Sequence, residues 1–161
     1  MGAPAAHHAP GQTRAQAHQH NAAHGVHTIA RRKNVQAQQA AHKDLFEKLQ
    51  GLLGEHIKQV RVSNRLKTSA VCLVADEHDM TPGLERLLAQ AGQAGPKSKR
   101  ILELNPSHPV LGRLQALYAE NAEDPRLADY AHLLHGQALI AEGQPPHDPA
   151  GFARLVAGLM A

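Results

Sequence analysis

The sequence predicts an α+β domain: a small three-stranded sheet with helices on it, ending in a helical pair that forms an intermolecular four-helix bundle. Three observations carry that reading. Ala and Leu dominate the apolar residues, while Phe46, Phe152, Tyr118 and Tyr130 are the only Phe, Trp or Tyr side chains, a composition that favours helices. Three short apolar runs, Ile57 to Val62, Ala70 to Ala75 and Ile101 to Leu104, have the length and the β-branched or alternating make-up of strands. Three capping residues stand directly before a proline, in Thr81-Pro82, Asp124-Pro125 and Asp148-Pro149. Proline is suited to the first helical position, where its missing N–H has no intrahelical partner to lose, and the preceding Thr or Asp oxygen accepts from the free amides just inside.

The elements follow in order. Residues 1–43 are low in complexity, with Ala, His and Gln prominent and Val26, Ile29 and Val35 the only large apolar side chains after Met1. So little apolar surface does not offset ordering entropy, so a disordered tail is expected, with a frayed helix from Arg31 to Lys43. Residues 44–161 form the folded domain. Leu45, Phe46, Leu49, Leu52 and Leu53 fall at helical spacing, and Gly54 stands where a helix would stop. After the first two strands, helices are expected over about 81–92, from Ser107 to about Asn121, over 125–142 and over 148–160, with Gly92 and Gly143 as C-terminal stops. In the penultimate helix Leu127, Tyr130, Ala131, Leu134, Ala138 and Ala141 make one stripe, and Leu133, Gln137 and Ile140 lie on another face. The last helix adds Phe152, Leu155, Val156, Leu159 and Met160. Three short strands offer little area to cover both helices, whereas a second copy of the chain would cover them; the alternative is that the sheet and the helix after Ser107 cover everything.

Charge and cysteine content narrow the function classes. The chain has 161 residues, which suits one domain with a tail. Residues 1–43 hold five bases and no acid, whereas residues 44–161 are slightly acidic, so the basic character belongs to the tail and argues against nucleic-acid binding by the domain. The single cysteine, Cys72, excludes a disulfide framework and a cysteine zinc cage. No apolar run approaches a membrane span and no signal-type segment opens the chain, so a cytoplasmic protein without membrane partners is expected.

Candidate chemistry is sparse. The tail histidines His7, His8, His18, His20, His24 and His27 lack the fixed geometry a metal site needs. Asp76-Glu77-His78-Asp79 lacks the glycine and terminal Glu of a calcium loop and reads as a solvated turn. Cys72 sits mid-strand with no basic neighbour in sequence, and reads as a buried, inert thiol. Glu120 and Glu123 read as a solvated helix face rather than an acid and a base. No phosphate loop, nucleophile elbow or zincin motif is present. Neither catalytic residues nor a metal or cofactor site is expected. Met80, Leu84, Leu87 and Leu88 form one apolar stripe on a short helix between loops. Core packing is the ordinary fate of such a stripe; the alternative is an adaptable surface for apolar segments of other proteins.

Ile101-Leu102-Glu103-Leu104-Asn105-Pro106-Ser107-His108-Pro109 resembles a signature of the C-terminal domain of the ninety-kilodalton heat-shock chaperones. Val60 to Leu66 followed by Ala70 to Val74 resembles the strand pair before it, and Leu84-Glu85-Arg86-Leu87-Leu88 the helix between. Gln137 to Gly143, then Asp148-Pro149 and the closing helix, resemble the dimerising end. The similarity covers about 44–161 and is closest to the bacterial HtpG type, since the chain stops at Met160-Ala161 without an acidic tail.

The resemblance implies a fragment of an ATP-driven, homodimeric chaperone, its ATPase and middle domains absent. ATP and magnesium would belong to the full-length protein, and this chain would not hydrolyse ATP. It implies a dimer surface on Leu127, Tyr130, Leu134, Phe152, Leu155, Val156 and Leu159, and a client-contacting patch on Met80, Leu84, Leu87 and Leu88. The partners implied are a second copy and unfolded or partly folded clients. Residues 1–43 depart from the family, whose corresponding segment is acidic and helical; a frameshift or misplaced start is the expectation there. A different class, a basic-tailed nucleic-acid-binding module using Arg31-Arg32-Lys33, would give only weak, salt-sensitive binding.

Overall fold

The computed structural model describes residues 15–93, 95 and 98–161, and side chains from residue 28 onward among them. The chain divides into two units, residues 1–34 and 35–161. In the first, residues 15–34 belong to α1 (Ala15–Ala41), a helix that begins well before the expected Arg31; its run of Ala and Gln has high helix propensity. The second unit holds the last part of α1 and the remaining elements: α2 (Lys43–Leu52), β1 (Ile57–Val62), β2 (Val71–Val74), α3 (Pro82–Gln90), β3 (Arg100–Leu104), α4 (Pro109–Glu120), α5 (Pro125–Ala141) and α6 (Pro149–Met160).

The architecture is α+β, as the sequence predicts. The sheet order is β1-β3-β2: β3 lies between two strands that are neighbours in sequence, running parallel to β1 and antiparallel to β2. A bulge between Ile57 and Gln59 explains an irregularity in β1. Ile57 and Val60 are three apart, yet both join the core with Val62, because an extra residue in one strand resets which face its side chains take.

One face of the sheet carries the core. Val60, Val62, Leu73, Leu102 and Leu104 pack with Leu45, Phe46 and Leu49 of α2, Leu111 and Leu114 of α4, and Leu127, Ala131 and Leu134 of α5. The opposite face is polar at its centre. Buried Glu103 receives Arg61 Nε at 3.0 Å and Nη2 at 2.8 Å, and Arg65 Nε at 3.3 Å; a buried carboxylate persists only when paired in this way. Cys72 Sγ lies 3.8 Å from Glu103 Oε2. Cys72 is half-buried rather than buried as read from sequence; burial first, and then the Glu103 charge, push its thiol above the ordinary cysteine value, with Arg65 opposing. At the margin of the sheet, Val62 N–H donates to Gln39 Oε1 of α1 at 2.8 Å.

Two polar residues close one end of this sheet, after β1 and β3. Ser63 Oγ accepts from the amides of Arg65 and Leu66 at 3.2 and 3.1 Å, shaping the turn after β1. Asn105, fully buried, donates to the carbonyls of Lys67 and Ser69 at 3.2 and 3.0 Å and accepts from Ser107 N–H at 2.9 Å. One side chain thus ties the β1–β2 loop to the entrance of α4.

The helix caps follow the sequence with one correction. Thr81, Asp124 and Asp148 cap α3, α5 and α6. The start of α4 is not Ser107 but His108, whose Nδ1 accepts from Val110 N–H at 3.2 Å, with Pro109 in the first turn; it is a fourth cap-proline pair, hidden because histidine is not a usual capping residue. Gly92 and Gly143 take φ of +74° and +77° and close α3 and α5 with paired bonds, Gln93 N–H to Leu88 O and Gln144 N–H to Leu139 O, both at 2.9 Å. A side chain would be strained at that φ.

Candidate functional site

Two surfaces were expected, one on the terminal helices and one on α3. α5 is anchored at its start by Asp124, whose Oδ1 accepts from Arg126 N–H at 2.9 Å. The Arg126 guanidinium lies 2.7 Å from Oδ2, and that bond holds the Asp124 carboxyl below the usual range. Farther along, α5 has two working faces. Leu127, 0% exposed, and Leu134 lie with Ala131 and Ala138 in the chain's own core. Tyr130 is half-buried against the same core, and its hydroxyl accepts from Arg113 Nε at 2.7 Å. Leu127 and Leu134 therefore have no area left to offer a second copy. A helical stripe shows which residues share a face, not whether that face meets the same chain or another.

The second face of α5 receives α6. Gly136 is the seat: a methyl group there would come within 2.6 Å of the Phe152 ring, so the missing side chain is what lets the two helices approach. At its start α6 is fixed by Asp148, whose Oδ1 accepts from Gly151 N–H at 2.9 Å. Phe152, Leu155 and Val156 are only half-buried, Leu159 is 61% exposed, and Met160 is more so. α6 is rich in apolar residues, yet none of them is fully buried within the chain. Ile140 on α5 is exposed as well.

α3 behaves like α6. It has no buried residue, so core packing is not the fate of its stripe. The stripe is also divided. Met80 and Leu88 are half-buried and line a cleft of about 510 Å³ with Leu73 and Leu139, while Leu84 and Leu87 point outward, Leu87 being 62% exposed. Polar ties hold the helix in place. Arg100 Nη1 donates to Met80 O at 3.0 Å and Nη2 to Glu85 Oε2 at 2.5 Å, and Arg86 Nη2 donates to Glu142 O at 3.4 Å. Burial raises the Glu142 carboxyl above its ordinary value, opposed by Arg100 and Arg86.

The other candidates are placed as follows. Asp76 and Asp79 both lie against Lys58 Nζ, at 2.5 and 3.8 Å, and that bond lowers the Asp76 pKa. Glu123 is bound to Lys48 at 2.7 Å. The tail histidines His7, His8, His18, His20, His24 and His27 lie outside the residues whose side chains are described. Among the described residues, no group of three His, Cys, Asp or Glu side chains is arranged to hold a metal ion, and no helix is long and apolar enough to cross a membrane. Sequence reasoning missed Gly136, the Arg100 clamp on α3, and a stack of His56, His135 and His147. Only contacts distant in sequence reveal them.

A family profile described as Hsp90 protein matches residues 18–161, reaching into the acid-free segment. The chain is similar to Chaperone protein HtpG of Geobacter sulfurreducens, with 51% identity over 117 residues, 73% of this chain and 18% of the relative. It is likewise similar to Chaperone protein HtpG of Mycobacterium avium, with 46% identity over 124 residues, 77% of this chain and 19% of the relative. Chaperone protein HtpG of Aromatoleum aromaticum is 46% identical over 131 residues, 81% of this chain and 19% of the relative. The chain thus spans about a fifth of the length of the curated relatives it matches.

Proposed function

The chain belongs to the Hsp90 protein family, and from that premise we propose that it is the C-terminal dimerisation segment of a cytoplasmic, homodimeric heat-shock chaperone. Two copies join through α5 and α6 in a four-helix bundle, and α3 offers an apolar edge to unfolded clients. ATP hydrolysis belongs to domains outside residues 44–161. Linking two copies raises the effective concentration of paired client sites on one polypeptide, which is how a segment without an active site contributes to remodelling.

The observation that carries this reading is α6, an apolar helix with no buried residue. Leaving such a helix uncovered forgoes roughly 1.5–3 kcal/mol for each large side chain a partner would bury. Phe152, Leu155, Val156 and Leu159, with the exposed edge of Tyr130, form the face that meets the second copy. Leu127 and Leu134 support it from behind.

Replacing Leu155 with Asp places a charge in that contact, and we expect the dimer Kd to rise at least ~100-fold while the monomer stays folded. Sedimentation equilibrium at micromolar concentration checks this; an unchanged dimer would remove α6 from the interface. The client surface is tested separately. Leu87 is exposed, so Leu87→Asp should alter unfolding free energy by less than about 0.5 kcal/mol. The same change should weaken suppression of aggregation of an unfolded client measured by light scattering. Undiminished suppression would place client contact elsewhere.

A further inference from the structure

Three imidazoles from separate parts of the chain lie face to face beside the start of α6. His56 is in the turn entering β1, His135 in α5, and His147 in the connection just before the Asp148 cap. Ring centroids are 4.2 Å apart for His56 and His147, 5.2 Å for His135 and His147, and 5.6 Å for His56 and His135, with interplanar angles of 16° to 28°. Near-parallel rings put their nitrogens at the rims rather than toward one shared point, and no metal-holding group is present among the described residues. The stack is a packing contact, and packing of this kind needs uncharged rings: imidazolium charges at such separations repel one another.

The surroundings give the charged forms no relief at His135, which is 5% exposed. Burial first, then the imidazoles of His147, His56 and His132, push its pKa down to about 4. On the α6 side the neighbouring cavity is bordered by His132, Asp148 and Arg154; Asp148 is occupied with the Gly151 amide. On the α3 side the cleft brings Glu55, Glu85, Arg86, Lys99, Arg100 and Glu142. Glu85 is bound to Arg100, Arg86 reaches the Glu142 carbonyl, and Lys99 reaches Gly54 O. No carboxylate contributes to the His135 shift.

We propose that the His56–His135–His147 stack is an acid-released latch, which when neutral pins the α5–α6 connection and the first turn of α6 to the body of the domain. Protonation of His135 separates the rings and frees that segment. The inference does not depend on what α6 contacts in solution. For one histidine held near the cited value of about 4 while latched and returning to about 6.5 when released, opening at pH 5.5 is favoured about tenfold over neutral pH.

Hydrogen exchange by mass spectrometry on the full chain at pH 7.5, 6.5 and 5.5, corrected for the intrinsic pH dependence of exchange, reads this directly. The peptide from Glu142 to Phe152 should gain about tenfold in opening at pH 5.5, while the β3 peptide from Arg100 to Leu104 changes little. His135→Phe should lose most of that dependence, because burial of that ring is its first cause; His147→Gln, at an exposed position, should lose the smaller share that the neighbouring imidazole contributes. Equal protection at all three pH values, or the same pH response in the variants, would overturn the latch.

Discussion

Glu103 and Asn105 stand two positions apart at the end of β3 and are both buried, yet their work differs. Glu103 gathers Arg61 and Arg65 on the polar face of the sheet, whereas Asn105 fastens a loop by two hydrogen bonds and holds the entrance of α4 by a third. Both belong to the segment through which family resemblance is legible in the sequence, and the structure gives that segment a mechanical reason. His135 illustrates the opposite. Nothing in its local sequence marks it, because its partners come from positions 56 and 147. Its folded pKa of about 4 lies below the ordinary imidazole value of 6.5, so between those values the unfolded chain binds more protons than the native one. Stability is therefore full above pH 6.5 and falls as pH drops toward 4, by about 2–4 kcal/mol in all. Urea unfolding at pH 7.5 and pH 4.5 should show this loss, and His135→Phe should flatten it; an equal slope in both proteins would assign the acid sensitivity to other groups.

Among the elements, the helices with cap-proline starts were readable because a cap, a proline and a terminal glycine are local signals. α4 was misread at its first residue because its cap is His108 rather than Ser107. The strands were readable from their β-branched content, but their pairing was not: β3 separates β1 from β2, and pairing order depends on contacts that no short window contains. The seat between α5 and α6 was invisible for a similar reason, since a glycine within a helix carries no pattern. Gly136→Ala should cost about 1–3 kcal/mol despite alanine's better helix propensity, because the added methyl meets the Phe152 ring. In a Phe152→Ala background the same substitution should be neutral or stabilising. Denaturant titrations of the four proteins give the coupling, and its absence would show that the ring moves aside freely.

For the molecule as a whole, one face of the sheet satisfies α2, α4 and the inner side of α5, while α3 and α6 are left without a buried residue. A domain that encloses its own centre and leaves the apolar side chains of two helices partly exposed supports the proposal that other chains complete it. The terminal apolar surplus was legible in the sequence, but its division was not: Leu127 and Leu134 serve the interior, whereas Phe152, Leu155 and Val156 stay half-buried and Leu159 exposed. In the proposed dimer, α6 holds two copies together. Its most direct test is the solution mass by light scattering, over a range of concentrations at pH 7.5, of the full chain and of a form ending at Gly143. A dimer that becomes a monomer without α6 is the expected result. The same mass for both forms, whether monomer or dimer, would contradict it.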